Sequence, residues 1–203
     1  MIPHKTILQK DIPEYNHIAE HKIEKLENAS FLNSINYIFT VKNKYPLLKP
    51  LGLWYGLKWY WIENLNIGME YNKIDYNRND NKVYEIKSEE YLYKIELVDN
   101  VYINLNNMDR NSRAFDKILK LEEYEDFKKF YEIYKYESKN PESDYTGWDQ
   151  INWKKVYMQY GGIELSTIHL DKVFASAKWW WGWGVPSGCV WNRDLIKNYK
   201  LIL

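Results

Sequence analysis

The order of the predicted elements is the feature that most limits how this chain can fold. Alternating segments typical of strands occur at 83–86, 91–97 and 101–105, and a short buried strand is indicated at 53–55. Isolated helical patterns lie between them, without the regular strand–helix–strand alternation that builds a parallel sheet. We therefore predict an α+β fold in which two small, mostly antiparallel sheets pack around a central cleft, with helices at the periphery.

Helices are predicted where apolar residues recur at helical spacing, over about 17–28, 57–65, 111–136 and 146–160. In the last of these, Gly161 and Gly162 would end the helix with a residue in the left-handed conformation. A length of 203 residues fits one domain, and no linker long enough to separate two domains is present. We therefore expect a single domain over residues 1–203.

Composition and spacing exclude several kinds of function. Lys and Arg together number 28, as do Asp and Glu, and the net charge of zero argues against broad coating of nucleic acid. The single cysteine, Cys189, rules out an internal disulfide and cysteine-based zinc sites, and the four histidines have no metal-ligand spacing, so we expect no metal. No Rossmann or P-loop glycine motif occurs. No apolar run has the length of a membrane span, and we expect a cytoplasmic protein with no membrane partner.

The ten tryptophans are concentrated in three segments, 54–61, 148–153 and 179–191. Five of them lie in the last segment alone, which is more than one small core edge needs. Such a cluster either covers a planar ligand by stacking or fills the core beneath a loop. Cys189 lies in the same segment, and a buried, unreactive thiol is the ordinary expectation for it.

Two short segments are candidates for chemistry. Gly52–Gly56 (GLWYG) reads as a buried strand with two aromatic residues, and taken alone it needs no functional explanation. Glu164 follows a glycine turn and lies between Ile163 and Leu165 in a predicted strand. If its side chain faces a cleft, burial and neighbouring groups set its pKa; if it alternates outward, it is an ordinary solvated carboxylate.

A resemblance to a known family rests on these segments. GLWYG resembles the strand Gly-[Ile/Leu]-Tyr-[Phe/Tyr]-[Ser/Ala] of the ADP-ribosyltransferase superfamily, in its diphtheria-toxin-like and poly-ADP-ribose-polymerase-like branch. The chain also looks like a group of viral and microbial proteins that carry the motifs KPxGLWYS, YxGIE and SGCxWN. Members of the superfamily share a histidine, a tyrosine and a glutamate in that order along the chain. The corresponding residues here are His17 or His21, then Trp54 or Tyr55, then Glu164.

The resemblance implies a split β-sandwich with peripheral helices and NAD as the substrate, without a metal. It implies that the strands of Trp54 and Glu164 are spatial neighbours, that Glu164 stabilises the oxocarbenium-like charge on the nicotinamide ribose, and that His17 binds the adenosine-side ribose. Trp54 or Tyr55 would stack on nicotinamide, and Gly52 and Trp61 complete the expected cofactor-binding set. ADP-ribose would pass to a macromolecular acceptor, either protein or nucleic acid, with release of nicotinamide.

Two other classes of function remain open on the sequence. The tryptophan clusters could form a stacking platform for nucleotide, single-stranded nucleic acid, sugar or a protein partner, without catalysis. Alternatively, the chain is a structural or partner-blocking protein whose core is filled with tryptophan. The enzyme hypothesis is preferred because the three motif residues occur in the family's order along the chain.

Overall fold

The computed structural model describes residues 4–26, 50–66, 75, 77–107, 113–136, 151–166, 179 and 183–203. These residues form ten strands and three α-helices. The strands are β1 (His4–Leu8), β2 (Tyr15–Ala19), β3 (Leu53–Leu57), β4 (Val83–Lys87), β5 (Tyr91–Leu97), β6 (Tyr102–Ile103), β7 (Ala114–Leu121), β8 (Tyr160–Leu165), β9 (Ser187–Val190) and β10 (Ile196–Leu201). The helices are α1 (Tyr60–Asn66), α2 (Tyr124–Tyr134) and α3 (Trp153–Gln159).

Hydrogen bonds join eight of these strands into one sheet, in the order β10-β5-β2-β3-β9-β8-β7-β6. The β6–β7 and β7–β8 pairs are parallel, and the other five pairs are antiparallel. Strands β1 and β4 form a separate antiparallel pair. The predicted α+β class with mostly antiparallel pairing is confirmed, but the hydrogen bonds partition the strands into one large sheet and one pair rather than two small sheets.

The large sheet is strongly curled. Four strands lie between β2 and β6 in its order, so a flat sheet would hold those two strands about 24 Å apart at the usual spacing of about 4.8 Å. In this molecule the hydroxyl groups of Tyr15 on β2 and Tyr102 on β6 nevertheless interact. The curl therefore brings side chains from distant strands together on the concave face.

Each face of the large sheet carries its own apolar core. Helices α2 and α3 cover one face, where Phe130 and Val156 pack with Trp191, the residue that follows β9. On the other face the β1–β4 pair and α1 pack against the sheet, with Tyr84 and Ile62 fully or almost fully buried. Because successive residues of a strand point to opposite faces, each central strand contributes to both cores.

Two predicted helices are wrong over part of their length. Residues 17–19 belong to strand β2, which pairs with β5 through His17, and residues 20–26 contain no helix. Residues 114–121 form strand β7 rather than the first half of a long helix, and only α2 within that range is helical. The remainder of the first predicted helix, residues 27 and 28, lies outside the described residues, as does the start of the second, at 111 and 112.

Other predicted strands and helices are confirmed, in whole or in part. The strand at 53–55 and the strand at 91–97 are confirmed, and the helix predicted over 57–65 is confirmed from residue 60 onward. The last predicted helix is observed as α3, while its predicted start at Thr146 lies outside the described residues. Gly161 and Gly162 do not end this helix in a left-handed conformation, because both lie inside β8. Within the part of the chain that the structure describes, no helix is long and apolar enough to span a membrane.

Candidate functional site

Glu164 lies at the centre of the candidate site. All six residues of β8 are buried, and only 2% of the Glu164 surface is exposed. Its Oε2 atom accepts a hydrogen bond of 2.8 Å from the hydroxyl of Tyr55. This contact confirms that the strands of Trp54 and Glu164 are spatial neighbours, as the resemblance implied.

The contact between Tyr55 and Glu164 depends on Gly188. Both residues pair with Gly188 of β9, so one strand separates them in the sheet. The Tyr55 ring lies over Gly188, and a Cβ atom there would come within 2.2 Å of the Cζ atom of Tyr55. The missing side chain on β9 is therefore what lets the tyrosine hydroxyl reach the carboxylate two strands away.

A second tyrosine reaches the same carboxylate from the other direction. The hydroxyl of Tyr102, on β6, donates a hydrogen bond of 2.7 Å to Oε2 of Glu164. Both donors thus share Oε2, whereas Oε1 accepts no hydrogen bond from the described residues. Among the described residues, both donors hold one carboxylate oxygen and none bonds the other.

A cavity of about 380 Å³ opens beside this carboxylate. Its wall combines Tyr15 and Leu57 from one part of the curled sheet with Lys120 and Glu164 from another. The volume falls in the range of small-molecule binding sites. The cavity therefore gives a ligand of moderate size access to Glu164.

A larger cavity of about 450 Å³ lies between α1 and β4. The most prominent polar contacts in its wall are internal, since the Asn66 side chain exchanges two hydrogen bonds with the backbone of Glu85. We place the candidate site at the smaller cavity, where a buried carboxylate presents an oxygen that the described residues leave unbonded.

Burial sets the protonation behaviour of the cluster. It raises the pKa of Glu164, and the hydrogen bonds from Tyr102 and Tyr55 and the charge of Lys120 oppose that rise. Burial and the Glu164 charge raise the pKa of both tyrosine hydroxyls, so each keeps its proton at neutral pH and acts as a donor.

His17 lies on the strand next to Tyr55 and contacts the backbone of that strand. Its Nδ1 atom is 2.7 Å from the carbonyl oxygen of Trp54. A carbonyl oxygen only accepts, so Nδ1 carries the proton and Nε2 of the neutral ring is an acceptor. Burial lowers the pKa of His17, while the hydrogen bond to Trp54 opposes that change. His21, the alternative histidine, is exposed.

Trp54 and Tyr55 point to opposite faces of the sheet. Tyr55 shares the face of Glu164 and is fully buried, so it acts through its hydroxyl rather than by stacking on a ligand. The Trp54 ring packs on Trp183 at a centroid distance of 4.5 Å, in the core on the opposite face. The aromatic ring that both lines the cavity and touches Tyr55 is Tyr15, with a centroid distance of 5.6 Å.

Gly52 and Trp61 have structural contacts that explain their residue types. A Cβ atom at Gly52 would lie 2.4 Å from the carbonyl oxygen of Val190, so the glycine allows close approach of β3 to β9. Trp61 is half-buried, its Cβ packs over Gly56, and its ring meets His17 edge-on at 6.3 Å. Trp61 is thus near the predicted histidine, whereas Gly52 serves strand pairing.

The described tryptophans mostly fill the two cores. Trp54 and Trp61 are half-buried, and the five that are buried are Trp59, Trp153, Trp179, Trp183 and Trp191. The other three, at positions 148, 180 and 181, lie outside the described residues. Among the described tryptophans, this arrangement favours the core-filling interpretation of the clusters over an exposed stacking platform.

Sequence reasoning missed three members of the site: Tyr15, Tyr102 and Lys120. Tyr102 lies in the segment 101–105, which was predicted as a strand, but nothing in the local pattern links it to Glu164. Lys120 lies in a segment that was predicted to be helical. No three His, Cys, Asp or Glu side chains among the described residues are grouped to hold a metal ion.

No family model matches the chain, and neither does any curated protein or solved structure.

Proposed function

We propose that this protein transfers ADP-ribose from NAD to a macromolecular acceptor, protein or nucleic acid. The observation that carries the proposal is the Glu164 carboxylate, buried beside a cavity, with one oxygen held by two tyrosine hydroxyls and the other without a donor among the described residues. In the reaction the bond from ribose C1′ to the nicotinamide nitrogen breaks, and nicotinamide leaves with the bonding electrons. The acceptor then bonds to C1′ and loses its proton.

Glu164 has the electrostatic role in this proposal. Positive charge develops on the ribose ring as nicotinamide leaves, and a fixed carboxylate stabilises that charge more in the transition state than in the substrate. Such stabilisation is stronger at a buried site than in water, because the effective dielectric constant is lower. Oε1 of Glu164 would face the ribose and its 2′-hydroxyl, while Oε2 stays fixed by the tyrosines.

His17 and Tyr15 are the other candidates for ligand contacts. His17 would accept a hydrogen bond from the adenosine-side ribose through Nε2, since Nδ1 is committed to the Trp54 carbonyl. The Tyr15 ring in the cavity wall would meet the planar nicotinamide ring. The fold supports the proposal only through its mixed α+β class and the β3-β9-β8 order, since its strands form one large sheet and one pair rather than the two small sheets of a split β-sandwich.

The test compares Glu164→Gln with Glu122→Gln. Glutamine keeps the shape of residue 164 but removes its charge, so we expect the fold to persist and NAD hydrolysis and ADP-ribose transfer to fall by at least ~10²-fold. Glu122 lines the same cavity but is paired with Lys120 at 2.7 Å, with 54% of its side chain exposed, so its variant should retain most of the activity.

The assay measures released nicotinamide and labelled acceptor, with protein and nucleic-acid acceptors tested separately. Equal turnover in the wild type and in Glu164→Gln would remove Glu164 from the mechanism. If the wild-type protein releases no nicotinamide with any acceptor and shows no thermal shift with NAD, the proposed function is wrong.

A further inference from the structure

Two tyrosines from opposite directions converge on one oxygen of Glu164. Tyr55 reaches it across β9 and Tyr102 reaches it across β7, with oxygen–oxygen distances of 2.8 and 2.7 Å. A carboxylate that accepted one hydrogen bond could rotate about its terminal torsion, which is broad for glutamate. Two donors on the same oxygen fix that rotation and determine which oxygen faces the cavity.

The surroundings of Tyr102 differ from those of Tyr55. Tyr55 is fully buried, whereas Tyr102 is half-buried on a two-residue strand that ends the sheet order. The Lys120 ammonium lies 5.2 Å from the centre of the Tyr102 ring, and the attraction between the cation and the ring face helps to orient the tyrosine side chain. The hydroxyl of Tyr102 can therefore be removed with little disturbance of the core.

The charged and titratable groups that act on Glu164 come from several strands. They are Tyr55 on β3, Tyr102 on β6, Lys120 on β7, Glu122 just after β7, and Tyr15 on β2. Lys120 is paired with Glu122 at 2.7 Å, so its charge is largely compensated. The two tyrosine hydroxyls are thus the direct partners that favour the ionised carboxylate.

We propose that Tyr102 is a positioning residue for Glu164: together with Tyr55 it holds Oε2 and turns Oε1 to the cavity. Removing the Tyr102 hydroxyl leaves one donor on Oε2 and weakens the preference for the charged form. Hydrogen bonds to charged groups are among the stronger ones in proteins, so the carboxylate should become harder to ionise.

The test replaces Tyr102 by Phe and uses Tyr84→Phe as the matched control. Tyr84 donates at 3.1 Å to Glu63, the other glutamate that is buried among the described residues, so the control makes the same chemical change at a buried carboxylate elsewhere. Glu164 is followed directly by NMR in protein with ¹³C-labelled glutamate, and its signal is assigned by Glu164→Gln. We expect its titration midpoint to rise by about one pH unit in Tyr102→Phe and to stay unchanged in Tyr84→Phe.

A second measurement connects the proposal to catalysis, and only this part rests on the proposed function. In Tyr102→Phe the acidic limb of the pH–rate profile for NAD turnover should move upward by the same amount as the titration midpoint. If Tyr102→Phe does not fold, 3-fluorotyrosine at position 102 replaces it. The fluorine makes the hydroxyl a stronger donor, so the midpoint should then fall.

The two proposals fail in different ways. An unchanged Glu164 midpoint in Tyr102→Phe, or in the fluorotyrosine protein if that variant is needed, overturns the positioning role, whatever the activity. A shifted midpoint in a protein that never turns over NAD supports the positioning role and counts against the proposed function alone.

Discussion

Gly188→Ala is the substitution that most directly tests how the site is built. The new Cβ would lie 2.2 Å from Cζ and 2.3 Å from the hydroxyl oxygen of Tyr55, whereas ordinary contacts begin near 3.4 Å. Neither partner can yield easily, because Tyr55 is fully buried and Gly188 lies in the middle of a paired strand. The ring would have to move by about 1 Å, which is enough to lose good hydrogen-bond geometry to Glu164.

The expected cost has two parts. Overpacking a closely packed interior costs about 1–3 kcal/mol, and a lost hydrogen bond to a charged group costs about 1.5–3 kcal/mol. We therefore expect Gly188→Ala to lower the free energy of unfolding by about 2.5–6 kcal/mol, a large share of the roughly 5–15 kcal/mol of a typical domain. No backbone strain enters this sum, since Gly188 is not among the described glycines with positive φ.

The assay is guanidinium denaturation, with Gly162→Ala as the control. A Cβ at Gly162 on the neighbouring strand would lie 3.0 Å from the Cys189 carbonyl oxygen and 3.2 Å from Ile118, so small shifts relieve it and its cost should stay below about 2 kcal/mol. Adding Tyr55→Leu to Gly188→Ala removes the clashing ring atoms and should recover part of the loss. The reasoning is refuted if Gly188→Ala is as stable as the wild type.

Two further predictions concern stability. Trp191→Phe should cost about 2–4 kcal/mol in denaturation experiments, because the buried indole donates to the Tyr160 carbonyl at 2.6 Å. The pKa shifts of His17 and Glu164 should give opposite pH dependences. The His17 pKa is lowered on folding, so the unfolded chain binds the proton more tightly and the free energy of unfolding falls as pH drops below about 6.5. The substitution His17→Asn should remove this fall in stability. The Glu164 pKa is raised, so stability falls as pH rises above about 4.5, and Glu164→Gln should remove that loss.

Strands were predicted correctly from local sequence where their residues alternate clearly between apolar and polar. Residues 91–97 alternate clearly, and they form β5 over the same range. Residues 17–19 carry no such pattern, and their strand conformation comes from pairing with β5, with β3 joining at the start of β2. That pairing joins segments far apart in the chain, so the local sequence of residues 17–19 contains no signal that distinguishes this strand from a helix.

The segment Ala114–Leu121 shows why a spacing of three and four residues can mislead. Phe115, Ile118 and Leu119 have the separation of one helical face. In β7, however, Ile118 belongs to the core on one side of the sheet and Leu119 to the core on the other. A strand buried on both faces carries adjacent apolar residues, which removes the alternation that identifies strands from sequence.

The site was predictable only where its residues lie in recognisable motifs. Glu164 and the Trp54–Tyr55 strand were named from the sequence, and their proximity is confirmed. Tyr15 and Tyr102 were not named, because Tyr102 reaches Glu164 across β7 and Tyr15 comes near it through the curl of the sheet, and no local pattern encodes either arrangement. The choice between Trp54 and Tyr55 likewise needed the register with β9, which decides the face each side chain occupies.

Glu63 and Glu164 are the two buried glutamates among the described residues, and their partners differ. Glu63 is 3% exposed, but Lys82 lies 2.7 Å from its Oε1, and Tyr84 and the backbone of Asp75 also donate to it. These partners compensate the Glu63 charge, and through them Glu63 joins α1 to β4 and to the loop that precedes β4. Glu164 is equally buried, yet no described cation comes within salt-bridge distance and one of its oxygens lacks a described donor. An apolar residue at this position of β8 would avoid the cost of burying a charge, so local stability does not account for a glutamate there. The proposed function accounts for it, because the oxygen without a described donor would then contact the ligand.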